Sequence, residues 1–188
     1  MWTLVALGAG QFVSIVGSRI SAVALGLWVF QSTGSVTRFA LVMALAMVPT
    51  LGLLPITGAL ADRLDRRRLV LAAELGLAVS MAVVAALALT GQLEVWHVYL
   101  NSVVHAVLVS FLLPSYPPLV AGLAPPERLT RANAIVSTGQ LGGLSLAPLV
   151  AGLLVARIPL GTLLVLDVAS YVGPILAVLL LRTPPATA

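Results

Sequence analysis

The sequence predicts an all-α membrane protein, a bundle of six transmembrane helices, and three observations predict it. Of the 188 residues, 60% are apolar and only 9% are charged, whereas soluble domains carry roughly a quarter charged residues. The apolar residues fall into six runs, each near the roughly 20 residues that span hydrocarbon. The arginines gather in alternate gaps between those runs, as membrane orientation demands.

The runs place span 1 at 4–30, span 2 at 39–61, span 3 at 69–90, span 4 at 95–121, span 5 at 132–156 and span 6 at 160–181. Met1 leads directly into span 1, so no basic leader or cleavage site of a signal peptide is read there. The connections are short, which makes sequential helices antiparallel neighbours. After spans 2, 4 and 6 stand Arg63, Arg66, Arg67, Arg68, Arg128, Arg131 and Arg182; after spans 1, 3 and 5 stand only Arg38 and Arg157. Positive residues stay inside, so both termini are expected on the cytoplasmic side of the cell's inner membrane.

Composition also excludes functions. The chain has no cysteine, which removes disulfides, thiolate metal sites and cysteine nucleophiles together. All ten basic residues are arginine and the net charge is +4. Nine of them lie in the gaps between or after spans and Arg19 lies inside span 1, so they form no solvated patch and nucleic acid is not an expected partner. No H-E-x-x-H zinc motif and no phosphate-binding glycine loop ending in Lys is present. An intramembrane serine protease would need a glycine-framed serine and a later histidine, but His97 and His105 both precede the glycine-rich span 5. Neither an enzyme, nor a metal site, nor a cofactor is expected.

Prolines punctuate the spans: Pro49 and Pro55 in span 2, Pro114, Pro117 and Pro118 in span 4, Pro148 in span 5 and Pro174 in span 6. Each removes a backbone donor and tends to kink its helix. Kinked helices suit a moving bundle or a shaped cavity, although proline is in any case commoner in membrane helices than in soluble ones. Pro55-Ile56-Thr57-Gly58 in span 2 and Pro148-Leu149-Val150-Ala151-Gly152 in span 5 form a weak internal match. A 3+3 inverted repeat would put these two spans in equivalent positions.

The strongest local signal is the gap after span 2, Gly58-Ala59-Leu60-Ala61-Asp62-Arg63-Leu64-Asp65-Arg66-Arg67-Arg68. Gly58 permits close helix contact near the membrane surface. Asp62 is an anion that can accept from an arginine or sit at a neighbouring helix amino terminus. The arginines fix topology and can bind anionic lipid heads. The stretch closely resembles the signature of the major facilitator superfamily, G-x-L-x-D-R-x-G-R-R, at Gly58, Leu60, Asp62, Arg63, Arg66 and Arg67. Asp65 stands where the general pattern has glycine. The resemblance implies a conformational latch whose acidic residue docks against a helix of the carboxy-terminal half.

Span 5 carries Gly139, Gly142, Gly143, Ala147, Pro148, Ala151 and Gly152, small residues that let backbones approach. Gly143, Ala147, Pro148 and Gly152 resemble the antiporter motif of the same superfamily, G-x-x-x-G-P-x-x-G-G, with alanine replacing two glycines. That motif is associated with exporters. Pro125-Pro126-Glu127-Arg128-Leu129-Thr130-Arg131-Ala132-Asn133 and the opening Gly10-Gln11-Phe12-Val13-Ser14 look like the drug and siderophore exporter branch, the group including macrolide efflux proteins and the enterobactin exporter. The resemblance runs along nearly the whole chain but covers only the amino-terminal half of that family's twelve-helix fold.

Polar residues inside the spans are the remaining candidates, because in lipid they face the bundle interior or water. Gln11, Ser14, Ser18 and Ser21 share one face of span 1. Arg19 flanks that face, and a buried arginine costs roughly 2.5–3.5 kcal/mol on insertion scales, so a partner or a wet cavity is expected. It either holds an anionic substrate or pairs with an acid of the other half. Asn101 and His105 lie one turn apart on span 4. His105 is either a proton carrier or a residue hydrogen-bonded to a neighbouring helix. Glu74 lies early in span 3. Asp167 is a candidate buried acid in span 6, resembling an acidic position of the exporter branch; it bonds neighbouring helices or the latch arginines, or couples protons.

The resemblance implies a secondary active transporter that exports an amphipathic small molecule by alternating access, with protons as the coupling ion and a six-helix carboxy-terminal half as partner. A half-transporter pairing with a second six-helix chain, and a non-transporting truncated product, are the alternatives. The reading frame downstream of Ala188 discriminates among the three.

Overall fold

The computed structural model describes residues 2–121 and 129–180. Leu123 to Arg128, with the paired prolines, and Arg182 lie outside the described residues. So do the side chains of Arg131, Asn133 and Pro148, and the surroundings of Gly143. The helices are α1 Trp2–Thr33, α2 Val36–Ala61, α3 Arg66–Leu89, α4 Val95–Ala121, α5 Leu129–Val155, α6 Leu160–Ser170 and α7 Val172–Leu180. Among the described residues, five stretches are long and apolar enough to cross a membrane: Ala9–Thr33, Val36–Ala61, Arg66–Leu89, Val95–Tyr116 and Leu160–Leu180. From α5 comes the shorter apolar stretch Ser145–Val155.

Local chemistry sets the helix ends. Gly34 follows α1 with φ 64° and donates its N–H to Phe30 O at 2.8 Å, a left-handed cap that glycine adopts without steric cost. Gly91 ends α3 with φ 71°, and Gln92 N bonds Leu87 O at 2.9 Å in the six-to-one closure of a Schellman turn. The Ser35 hydroxyl caps α2 by accepting from Arg38 N at 3.3 Å. Asp65 caps α3 by accepting from Arg68 N at 3.0 Å. Both caps set their helices starting three residues earlier than the apolar runs do, because an oxygen that satisfies an orphan N–H extends the helix into polar sequence.

The prolines act unequally. α2 runs unbroken through Pro49 and Pro55, and α4 runs through Pro114. The sixth run, expected as one helix, is instead interrupted at Tyr171. Pro174 has no N–H for the Ser170 carbonyl, and its ring crowds that oxygen. Tyr171 N turns to Val168 O at 3.3 Å, and regular bonding resumes where Ile175 N meets Tyr171 O at 3.1 Å.

Lipid is as apolar as leucine, so burial of apolar area does not drive these helices together; close packing and interhelical hydrogen bonds do. The larger core gathers Leu25, Val29, Val42, Leu77, Met81, Val84, Val98, Leu164 and Tyr171. A smaller one joins Ile20, Ala24, Ala151 and Leu163 where α1 meets α5 and α6. A Cβ on Gly10 would lie 3.1 Å from the backbone carbon of Gly173, so α1 and α7 touch backbone to backbone. α1 packs most extensively on α5, and α2 on α4. α1 also contacts α2, α4, α6 and α7, which puts its polar face inside the bundle.

The outer faces are apolar. Met47, Val48, Leu51 and Ile56 on α2, and Leu141, Leu149 and Leu153 on α5, are each more than half exposed. No soluble surface tolerates stripes of this kind without a cover.

Candidate functional site

The polar side chains of α1 converge on a cavity of about 230 Å³ between α1, α3 and α4. α1 contributes Gln11, Ser14, Ser18 and Arg19; α3 contributes Glu74; α4 contributes His105 and Tyr116. Leu77, Val109, Leu112 and Leu113 supply apolar wall. An apolar chamber with a few convergent polar groups is the usual form of a small-molecule site.

Glu74 anchors one end of this cavity. Its carboxylate is buried, and Oε1 accepts from Gln11 Nε2 at 2.9 Å and from Tyr116 Oη at 3.0 Å. Gln11 and Tyr116 also bond each other, which closes a three-helix triad. The sequence marks Glu74 only as an acid in an apolar run and gives no sign of Tyr116. A lone carboxylate in lipid must find partners, but which aromatic on which helix meets it depends on packing.

Arg19 and His105 mark the other end. Arg19 lines the cavity and is exposed there, with no ion pair among the described residues. Of the two surroundings expected for a charge in mid-span, a partner or a wet cavity, Arg19 has no partner among the described residues and stands on the wall of a cavity. His105 lines the same wall. Asn101, one turn earlier on α4, does not: it is buried and its Oδ1 accepts from Ser80 Oγ on α3 at 2.7 Å. A step of four residues turns a side chain about 40° further round the helix than a full circle, and that suffices to carry Asn101 from the cavity to the α3 seam.

A second polar cluster lies on the other flank of α1. Asp167 is 1% exposed, and its Oδ1 accepts from Ser18 Oγ on α1 and from Ser170 Oγ, each at 3.3 Å. Ser18 Oγ also meets Tyr171 Oη at 2.8 Å. Asp167 therefore bonds a neighbouring helix and not the arginines after α2. Of those arginines, Arg67 does reach the same apolar run, but at its end. Its Nε donates to Val178 O at 3.1 Å and its Nη2 to Leu179 O at 2.7 Å, two adjacent carbonyls in the last described turn of α7.

The remaining residues after α2 are less engaged than expected. Asp62 follows α2 and forms an exposed pair with Arg66 at 3.4 Å. Gly58 has nothing within 4 Å of a Cβ built on it, so the close helix contact expected there is not made within the described chain. The reason is the outward exposure of α2 around it. Gly152 on α5 is equally open, whereas Ala147 and Ala151 are fully buried. The Arg63 backbone N–H donates to Leu60 O at 3.1 Å, but its side chain makes no hydrogen bond or ion pair among the described residues.

The family model described as Major Facilitator Superfamily matches residues 7–188. The chain belongs to this superfamily. Macrolide efflux protein A of Streptococcus pyogenes is 28% identical over 176 residues, covering 94% of this chain and 44% of that protein. Macrolide efflux protein A of Enterococcus faecalis is 28% identical over 130 residues, 69% of this chain and 40% of that protein. The MFS-type transporter YfiS of Bacillus subtilis (strain 168) is 26% identical over 169 residues, 89% of this chain and 39% of that protein. The chain thus spans less than half the length of the curated relatives it matches. As a member of the superfamily it is a multi-pass membrane protein of a transporter family, not an enzyme.

Proposed function

We propose that this chain is the amino-terminal six-helix half of an exporter that moves an amphipathic small molecule out of the cell by alternating access, driven by protons. The observation that carries the reading is the cavity between α1, α3 and α4, whose carboxylate end and guanidinium end sit inside a bundle with apolar outer faces. Helix pairing supports the 3+3 inverted repeat. Exchanging helix 1 with 4, 2 with 5 and 3 with 6 turns the α1–α5 contact into the α4–α2 contact, and these are the two most extensive in the chain. The exposed apolar stripes on α2 and α5 support a second six-helix half as partner, and so does the share of the relatives' length that the chain covers. Seven arginines after even spans against two after odd ones support cytoplasmic termini.

The names of the relatives make a macrolide the first cargo to test. In a host stripped of its own exporters, cells expressing the natural full-length gene should accumulate less macrolide than vector controls, and a protonophore should abolish the difference. Equal accumulation in both strains, with the protein present in the membrane, sinks the export reading. A difference that survives the protonophore sinks proton coupling alone.

A further inference from the structure

The seam between α1 and α6 holds a buried charge with too few partners. Asp167 is 1% exposed, and no arginine or histidine pairs with it among the described residues. Its Oδ1 receives two long bonds of 3.3 Å, from Ser18 and Ser170. Its Oδ2 and the fully buried hydroxyl of Ser21, the donor that faces Asp167 from α1, close no hydrogen bond of ordinary length. A buried carboxylate in a low-dielectric interior is costly unless it is neutralised and its lone pairs are filled. Here two orphaned oxygens lie side by side on neighbouring helices.

The donor set is uniform. Around Asp167 stand its two carboxylate oxygens, the hydroxyls of Ser18 and Ser170 bonded to Oδ1, the hydroxyl of Ser21, and that of Tyr171 held through Ser18, with no nitrogen or sulfur in these contacts. An all-oxygen donor set of carboxylate and hydroxyls is what a hard cation takes. The single carboxylate sets the charge: a monovalent ion neutralises it, whereas a divalent one would leave a net positive charge in an apolar interior. Space is kept for the cluster by Gly17, where a Cβ would lie 2.8 Å from Asp167 Oδ1 and 2.9 Å from Ser170 Oγ. Access is provided by Ser18, which bonds Asp167 and also lines the cavity.

We propose that Asp167, Ser18, Ser21, Ser170 and Tyr171 form a binding site for one sodium ion in the seam between α1 and α6. The ion joins the two helices and satisfies the oxygens that packing alone leaves open. The site does not depend on the export reading, because its test is a binding equilibrium.

The test is thermal unfolding of the purified chain in detergent, with sodium chloride exchanged for choline chloride at constant ionic strength. Sodium at tenfold its dissociation constant should raise the midpoint by about 3–6 °C. The rise should vanish in Asp167→Asn, shrink in Ser21→Ala, and persist in Ser80→Ala, whose hydroxyl bonds Asn101 instead. Should Asp167→Asn not fold, radioactive sodium binding to the wild type, Ser21→Ala and Ser170→Ala carries the same test, with binding weakened in both variants. No sodium response in the wild type overturns the proposal, as does an undiminished response in Asp167→Asn. A midpoint that follows pH between about 5 and 8 and ignores sodium also overturns it, and assigns the site to a proton.

Discussion

The hydroxyl of Thr57 donates to the carbonyl oxygen of Ser110 at 2.8 Å, and that oxygen is the one Pro114 leaves without a helical donor. A proline in a membrane helix persists where a neighbour fills the freed carbonyl, and here α2 fills it for α4. Thr57 is 1% exposed, so water cannot substitute. Thr57→Val keeps the shape and removes the donor. It should cost about 0.6–1.7 kcal/mol, the range of interhelical hydrogen bonds in membranes. Restoring the N–H with Pro114→Ala should make the same change nearly neutral. A double-mutant cycle by thermal or denaturant unfolding reads the coupling; additive effects would show that Thr57 acts elsewhere.

Two glycines of the chain should respond in opposite ways to one methyl group. Gly17→Ala drives a Cβ to within 2.8 Å of Asp167 Oδ1, while Gly58→Ala meets nothing within 4 Å. Overpacking of a buried seam costs typically about 1–3 kcal/mol, so Gly17→Ala should lower the unfolding midpoint clearly. Gly58→Ala should leave it unchanged or slightly raised, alanine being the better helix former. If Gly58 serves the contact between halves, Gly58→Leu should impair export in the full-length protein without destabilising this chain. Equal destabilisation by both alanine substitutions would refute the packing described.

These residues show what the sequence reveals. The helix positions follow from apolar runs because hydrocarbon thickness fixes a length that composition alone can report. Their ends differ at α2 and α3 because Ser35 and Asp65 recruit polar residues into the first turn, a local effect outside any hydropathy window. The cavity wall formed by Gln11, Ser14, Ser18 and Arg19 is legible because one helix face carries it. Glu74 and Tyr116 meet across 42 residues, and Ser18 and Asp167 across 149. Such pairs depend on how helices turn against each other, which periodicity does not encode. Asn101 shows the converse: sharing a face with His105 did not give it a shared neighbour.

Arg67 bridges the start of α3 to the end of α7 through the carbonyls of Val178 and Leu179. Two donors of one planar guanidinium serve adjacent carbonyls, a geometry that an ammonium reproduces poorly. Arg67→Ala should destabilise by about 1 kcal/mol, and Arg67→Lys should recover only part of it. Hydrogen exchange at Val178 to Leu180 should quicken in Arg67→Ala and stay unchanged in Arg63→Ala. A uniform response to both would mean that net charge, and not this bridge, holds α7.

Asp62 forms only an exposed ion pair with Arg66 at 3.4 Å, a class of contact worth at most about 0.5 kcal/mol. Stability therefore gives no reason for the residue. Asp62→Asn should leave unfolding within about 0.5 kcal/mol of wild type. On the export reading, it should lower macrolide efflux by the full-length protein several-fold, because the latch reading assigns it a contact with the other half. Efflux at the wild-type level in Asp62→Asn would remove the latch role while leaving the cavity untouched.

Glu74 tests the cavity itself. Glu74→Gln keeps the side-chain length and an oxygen that can still accept from Gln11 and Tyr116, but it removes the charge. If the carboxylate exchanges a proton with the transport cycle, efflux by the full-length protein should fall at least tenfold while membrane insertion is unaltered. Tyr116→Phe, which removes one hydroxyl and leaves the charge, should preserve most of the transport rate. A structural triad makes the opposite ordering: Glu74→Gln retains its bonds and transports normally, while Tyr116→Phe unpins α4 from α3 and loses stability. The two variants thus separate a proton-carrying carboxylate from a purely architectural one, with transport rate and unfolding midpoint read on the same preparations.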